Sequence, residues 1–443
     1  MKPKHLRMAS ILAFLTLLAT TVMVAALPEP SFAGQKKLRI GHQVYPIHEQ
    51  QLKWMKKWGE MNGVAIESVP ISYGVFVEKL SASLMANSKE YDIIWHNDDW
   101  GPLWGAFLEP LDDIKTIPSM NREILIDKAM LWPGPDGKPR ITAIPLVETL
   151  GIMFYRKDLI SPKEYPRTWA DVVRVSRRLQ KEGKVKWGLT GGMKYPNTYN
   201  TILWSMWSND SDIFSPPDER DEAVLKKNGW KTMLPSKSFR EMVEFWWDNI
   251  HTHKISPPGQ VSYTGPEADA VFMAGDAFLT QNDTTLLGKY NDPKASKVAG
   301  KVAFGPFPTG PSNKKGQFAW RAAWFWAIPK AIDPEQKKLA KQLLTWLTES
   351  EEVQRDIWTS VGGIPPVVKV QEAIAASDPL FKELKAAVID VPHSVVPGYY
   401  VKQWPKINAT ISDVVTKALS GKREDIGKVL DEGDKKITAI MTE

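Results

Sequence analysis

The chain has 443 residues, enough for two or three domains at roughly 100–200 residues each, with 43% hydrophobic residues, 57 Lys and Arg, 51 Asp and Glu, and no cysteine. The lack of cysteine excludes disulfide frameworks, thiol nucleophiles, Cys-ligated metal or iron–sulfur sites and lipid attachment through cysteine. Part of the net +6 lies in the first 33 residues, where Lys2, Lys4 and Arg7 face only Glu29, and the remaining charge is too dilute for a nucleic-acid footprint.

Met1–Arg7 is basic, Met8–Leu27 is apolar, and Ser31-Phe32-Ala33 closes the stretch with small residues around a central one. These are the three regions of an export signal. A membrane anchor is the competing reading, because the apolar run approaches the ~20 residues a span needs. The small-residue site and the polar, foldable sequence that follows at once favour cleavage. The expectation is a soluble periplasmic protein, secreted through a cleaved signal over residues 1–33 and, without cysteine, not a lipoprotein.

After the signal, Leu38, Ile40, His42 and Val44 alternate as in a strand, and Leu52, Met55, Trp58 and Met61 recur at helical spacing until Gly63. Val64–Val69 reads as a second strand, Phe76, Val77, Leu80 and Leu84 as a second helix, and Tyr91–Trp95 as a third strand. This β-α-β-α-β alternation predicts a parallel, doubly wound α/β sheet, in which ligands sit beyond the carboxyl ends of the strands. Ile141–Leu146 is apolar, Glu148-Thr149 interrupts it, and Gly151–Tyr155 resumes as a strand. Thr168 is a predicted helix N-cap. Tyr199–Trp207 reads as an aromatic helix, Asp276–Leu279 ahead of Gln281-Asn282-Asp283 and Phe318–Ile328 as further crossings, and 305–316 as an exposed loop. From Glu335 onward the pattern is helical.

No nucleophile elbow, phosphate-cradling glycine loop, dinucleotide fingerprint or His-Glu-x-x-His motif occurs, and no cofactor is implied. His251 and His253 form the only close histidine pair, and they read as the cationic end of a helix rather than a metal site. Two carboxylates flanking a glycosidic bond would make a hydrolase, so Asp98 or Asp99 with Glu148 defines a secreted glycosidase as one alternative. Ionised carboxylates in strand-end loops equally accept charge-assisted hydrogen bonds from sugar hydroxyls. Nineteen tryptophans are the outstanding compositional fact. Trp54, Trp58, Trp246 and Trp247 fit core packing, whereas Trp100, Trp204, Trp207, Trp320 and Trp324 fall at strand ends or in loops. Aromatic platforms interleaved with Asn, Asp, Glu and Arg describe a carbohydrate cleft.

Several segments in order resemble extracellular solute-binding proteins of family 1, the carbohydrate receptors of bacterial ABC importers related to maltose-binding protein. They are Tyr91-Asp92-Ile93-Ile94-Trp95, Ile144-Pro145-Leu146 through Tyr155-Arg156-Lys157-Asp158-Leu159, Pro166-Arg167-Thr168-Trp169, Phe272–Phe278 and Gly362-Gly363-Ile364-Pro365. The resemblance spans 35–443, and Arg156 and Asp276-Ala277-Phe278 depart from the family pattern. It implies a type II periplasmic binding protein: two α/β lobes joined by three hinge crossovers, with the ligand between them. The expected partition is 34–147 with 281–321 as the N-terminal lobe and 148–280 with 322–443 as the C-terminal lobe. The region 208–230 matches nothing in the pattern and reads as an insertion.

The candidate ligand-binding residues are Tyr45, His48, Asn97, Asp98, Asp99 and Trp100 from the N-terminal lobe, and Glu148, Asn282, Asp283, Trp320 and Arg321 from the crossovers. Asn200, Trp204, Gly363 and Tyr399 come from the second lobe. The expected partners are a sugar or small oligosaccharide and the membrane permease of an ABC importer, with no nucleic acid and a monomeric receptor. A third possibility keeps the fold but gives Arg321 and His48 an anionic solute.

Overall fold

The computed structural model describes residues 36–442 apart from 98, 121–129, 135, 196, 198 and 390–400; the side chains of 199, 200 and 387 are also outside the description. The proposed signal over 1–33 therefore lies outside the described residues.

The amino-terminal alternation folds as its periodicity predicts. Strand β1 (Lys36–Gln43) leads into helix α1 (Pro46–Asn62), which ends where Gly63 takes the left-handed conformation (φ 66°) that favours glycine. Strand β2 (Val64–Ile71), helix α2 (Tyr73–Met85) and strand β3 (Ile93–Asn97) follow, with β1 parallel to both β2 and β3. The Glu148-Thr149 step, expected to interrupt a strand, does not: strand β4 (Ala143–Arg156) runs unbroken and buried along its whole length. Partners on both edges satisfy its backbone, and that outweighs two polar side chains.

Helix α3 (Trp169–Lys181) starts at Thr168, whose hydroxyl accepts the Asp171 amide at 3.1 Å. Strand β5 (Trp187–Thr190), helix α4 (Lys237–His251), strand β6 (Ala277–Asp283), strand β7 (Val302–Gly305) and strand β8 (Trp320–Ala327) complete the sheet. Its order is β2-β1-β3-β8-β4-β6-β5, with β7 paired to β4. The chain then becomes helical in α5 (Pro334–Glu349), α6 (Glu351–Val361), α7 (Val368–Ser377), α8 (Trp404–Ser420) and α9 (Ile426–Thr442). Tyr199–Trp207, expected as one helix, is a π-helical turn at Tyr199–Leu203 followed by a short helix at Trp204–Trp207.

Three hydrophobic cores hold these elements. The first gathers residues of 38–147 with Ala323 to Val361. The second surrounds Trp169, Trp204, Trp246 and Trp404, and the third surrounds Leu150, Phe154, Tyr290 and Phe381. Core membership divides the chain differently from the expected partition. Phe307, Phe318 and Trp320 pack in the second core, whereas α5 and α6 return to the first, where Trp54 donates to Asp356 at 2.8 Å and Gln336 to the Lys37 carbonyl at 3.0 Å. The change of core falls inside β8, between Ala322 and Ala323, so no loop or composition shift marks it. The 208–230 region is anchored: Phe214 and Trp230 lie in the second core, and buried Asp212 pairs with Arg220 at 2.9 Å.

Candidate ligand-binding site

Strands β4 and β8 both pass from one core to another, and they pair antiparallel. Trp320 lies opposite Gly151, Arg321 opposite Leu150, Ala322 opposite Thr149, Ala323 opposite Glu148 and Trp324 opposite Val147. Successive side chains of a strand point to opposite faces, so this register sorts the predicted residues into two sets. Thr149, Gly151, Trp320, Ala322 and Trp324 share one face, called the front; Glu148, Leu150, Arg321 and Ala323 share the back. Asn97, opposite Trp324, and Asp283, opposite Gly151, join the front, and Asn282, opposite Ile152, joins the back. The cores agree, since Met153 and Tyr155 pack in the second core and Leu150, Ile152 and Phe154 in the third.

On the front, the Tyr45 hydroxyl donates to Asp283 Oδ2 at 2.9 Å, while Asp283 Oδ1 accepts from the Thr285 amide at 3.0 Å and from its hydroxyl. Burial nevertheless raises the Asp283 pKa and pushes the Tyr45 phenol well above its usual range. The Tyr45 ring meets Trp324 edge-on at 5.4 Å. Asp99 accepts from Asn97 Nδ2 at 2.8 Å and from the indole N–H of Trp404, the first residue of α8. Burial lifts Asp99 to about 6 against these stabilising bonds. Trp204 and Trp320 lie 5.2 Å apart over Gly151, where a Cβ would sit 2.7 Å from one ring and 2.9 Å from the other. Glycine is what lets the two indoles close over the strand. The buried Trp204 indole N–H and the buried Gln281 amide, the latter opposite Met153 on the front, have no hydrogen-bond partner among the described residues.

On the back, Arg321 Nε lies 2.8 Å from Glu148 Oε1, and Gln371 Nε2 donates to Glu148 Oε2 at 3.3 Å. Arg321 also donates to the Ile389 carbonyl at 2.8 Å. The Glu148 amide donates to the Ile364 carbonyl at 2.7 Å and its carbonyl accepts the Ile364 amide at 2.9 Å.

The structure thus brings Tyr45, Asn97, Asp99, Asp283, Trp204 and Trp320 to one face and places the other predicted residues elsewhere. Glu148 and Arg321 form a buried ion pair behind the strands. Asn282 donates to Asp269 at 2.8 Å and to Tyr290 at 3.1 Å in a buried network. Trp100 is buried in the first core between Phe76 at 5.6 Å and Trp104 at 4.7 Å. The Gly363 amide donates to the Ile357 carbonyl at 3.0 Å, and a Cβ there would lie 2.6 Å from Val147. His48 is fully buried among Trp95, Trp324 and Trp326; desolvation lowers its pKa to about 3, and its Nδ1 lies 3.0 Å from the Gln43 carbonyl. Asp98 and Tyr399 lie outside the described residues, as does the Asn200 side chain. Sequence reasoning passed over Thr149, Gln281 and Trp404. Thr149 was legible as the alternate of Glu148 once the strand is continuous; Trp404 carries no local signal, because only the tertiary fold brings it to Asp99.

A parallel β-α-β-α-β unit, a second α/β body and crossover strands between them define the two-lobed binding proteins, which hold a small solute where the crossovers run. Residues 53–387 match the family model of bacterial extracellular solute-binding proteins. The chain belongs to that family. It is 23% identical over 415 residues, 89% of this chain and 87% of the relative, to the probable amino-acid ABC transporter periplasmic-binding protein y4oP of Sinorhizobium fredii. Its fold is similar to that of maltose-bound MalE3 of T. maritima (TM-score 0.75, 23% identity, covering 90% of this chain and 99% of that one). It is also similar to a ribitol-bound ABC transporter solute-binding protein of Agrobacterium radiobacter (TM-score 0.73, 18% identity, covering 91% and 98%). No described helix is long and apolar enough to cross a membrane.

Proposed function

We propose that this chain is the periplasmic substrate-binding component of an ABC importer and that it holds an uncharged sugar, small oligosaccharide or polyol against the front of β4 and β8. The lobes in this reading follow the cores: residues up to Val147 with Ala323 to Val361 form one, and the rest the other. The observation that carries the ligand class is the makeup of the front. Indole and phenol rings (Tyr45, Trp204, Trp320, Trp324) alternate with hydrogen-bonding groups (Asn97, Asp99, Thr149, Gln281, Asp283), and none of the positions of β3, β4, β6 and β8 facing that way is cationic. Sugar C–H faces stack on such rings while hydroxyls meet acceptors at their edges.

A solute bearing a carboxylate, whether an amino acid or a simple anion, finds less support, although a relative is named for amino-acid transport. Arg321 is on the back and already paired, and His48 is held neutral by burial. The glycosidase alternative loses support for a related reason, since Glu148 lies behind the strand that carries Thr149 at the front, paired with arginine rather than facing Asp99. Secretion through cleavage after Ala33 and delivery to a membrane permease complete the proposal.

The test is thermal unfolding of residues 34–443 against maltose, maltotriose, ribitol, mannitol, glucuronate and amino acids. A ligand that binds only the native state stabilises it by RT ln(1 + [L]/Kd). A rise with maltose, maltotriose, ribitol or mannitol, recovered chemically intact, supports the receptor reading; a rise with glucuronate or amino acids alone contradicts it.

A further inference from the structure

The Glu148–Arg321 pair faces away from the proposed ligand surface, yet it joins separate segments of the crossover region. Among the described residues, three segments pass between the first core and the other two: β4 beyond Val147, β8 at Ala322-Ala323, and the turn from Val361 to Ile364. Glu148 belongs to the first of these. Its carboxylate pairs with Arg321 of the second at 2.8 Å, and its backbone exchanges two hydrogen bonds, 2.7 and 2.9 Å, with Ile364 of the third. Gln371, on α7 just beyond that turn, donates to the second carboxylate oxygen and at 2.8 Å to the Pro365 carbonyl, which closes the ring of contacts. Gly363 lets the turn press against Val147 with no Cβ between them.

We infer that Glu148 is a positioning residue of the hinge: it joins the three crossovers into one mechanical unit and so fixes the resting arrangement of the lobes. The inference rests on the two-lobed closure reading but not on the identity of the ligand. The physical argument is geometric. Three separate strands of chain offer three independent sets of backbone torsions about which one lobe can turn. A residue tied to the other two segments, by its backbone to Ile364 and by an ion pair to Arg321, makes a rotation about any single segment stretch a buried interaction, whose loss is not offset by water. A hydrophobic pair of the same volume would fill the space without directional bonds, and a directional buried pair is one known means of specifying a single arrangement. The two ligand-face carboxylates do not serve this purpose, because the groups that donate hydrogen bonds to them, from Tyr45, Thr285, Asn97 and Trp404, lie on none of the three crossovers.

The absence of native cysteine makes the test direct. Spin labels on E60C in α1 and K181C in α3, both exposed and in elements of different cores, report the distance between lobes in the ligand-free protein. The unmodified hinge should give one dominant distance. E148Q, which keeps the backbone ladder but loses the ion pair, should add a second distance population. E148Q/R321M, which buries no unpaired charge and keeps side-chain volume, should remain folded and show the same second population. A double variant that folds cooperatively and retains the single distance of the parent would overturn the inference, since the pair would then only cement the fold. Because no ligand is added, failure of every sugar to bind the parent leaves this result standing, and bears on the ligand reading alone.

Discussion

The two faces of the same pair of strands differ in how their polar groups are used. Behind β4 and β8, Glu148 and Arg321 are committed to each other, to Gln371 and to backbone groups of other segments. In front, Asp99 and Asp283 are also buried, but their partners are a tryptophan N–H, a phenol, an asparagine amide and hydroxyls, with no cation among them. The lesson is that a carboxylate paired with an arginine in the interior serves rigidity, whereas one surrounded by neutral donors and aromatic rings is suited to exchange those donors for the hydroxyls of a solute. Residue type alone does not separate the two uses; the strand face does.

The largest effect that sharpens the contrast is expected behind the strands. Glu148→Ala leaves the Arg321 guanidinium buried without its carboxylate, and removing one member of a buried pair costs about 3–5 kcal/mol. Urea unfolding should show that loss, with E148Q/R321M recovering most of it; a loss no larger than that of a surface ion pair would mean that the back is solvated.

Gly151→Ala is next. Its Cβ would press on both Trp204 and Trp320, and overpacking of this kind costs about 1–3 kcal/mol. The variant should lower the melting temperature and also weaken binding of the neutral solute, because the two rings must part. Unchanged binding would remove the indole pair from the ligand surface.

Trp324→Ala should act mainly on the ligand. The side chain is only partly buried at the edge of the first core, so affinity for the neutral solute should fall about tenfold, equivalent to about 1.4 kcal/mol, with a smaller change in ligand-free melting. Calorimetric titration separates the two, and the reverse pattern would assign this tryptophan to the core.

The smallest effect is a pH dependence. Burial holds Asp99 at about 6 against an ordinary 3.8, so the native state binds this proton more tightly than the unfolded chain. The resulting stability is fully present below about 3.8 and is lost as pH rises through about 6. Asp99→Asn removes that titration, and its melting temperature should therefore gain on the parent between pH 4 and 7; a constant difference across that range would show that Asp99 does not titrate there.

The amino-terminal sheet was legible because alternation, helical spacing and Gly63 all point the same way. Thr168 was legible as a cap for the same local reason. The crossover region was not. Glu148-Thr149 breaks the apolar pattern of a strand whose continuity comes from neighbours on both edges, and a break at that step hides the alternation that sends Glu148 back and Thr149 forward. Asn282 and Asp283 are adjacent in sequence and were read together, yet one belongs to a buried network with Asp269 and Tyr290 and the other to the front. Trp100 and Trp320 look equally exposed by sequence, yet both are buried, Trp100 in the first core and Trp320 in the second, where it stands over Gly151.

The central claim, that the front carries the solute and the back carries the hinge, is tested most directly by a crystal structure with the neutral compound that most raises the melting temperature. The account predicts a sugar or polyol against Trp320 and Trp324, within hydrogen-bond reach of Asn97, Asp99 or Thr149, with the Glu148–Arg321 pair intact and untouched by it. A solute whose charged group lies on Arg321, or one seated behind β4, would contradict it.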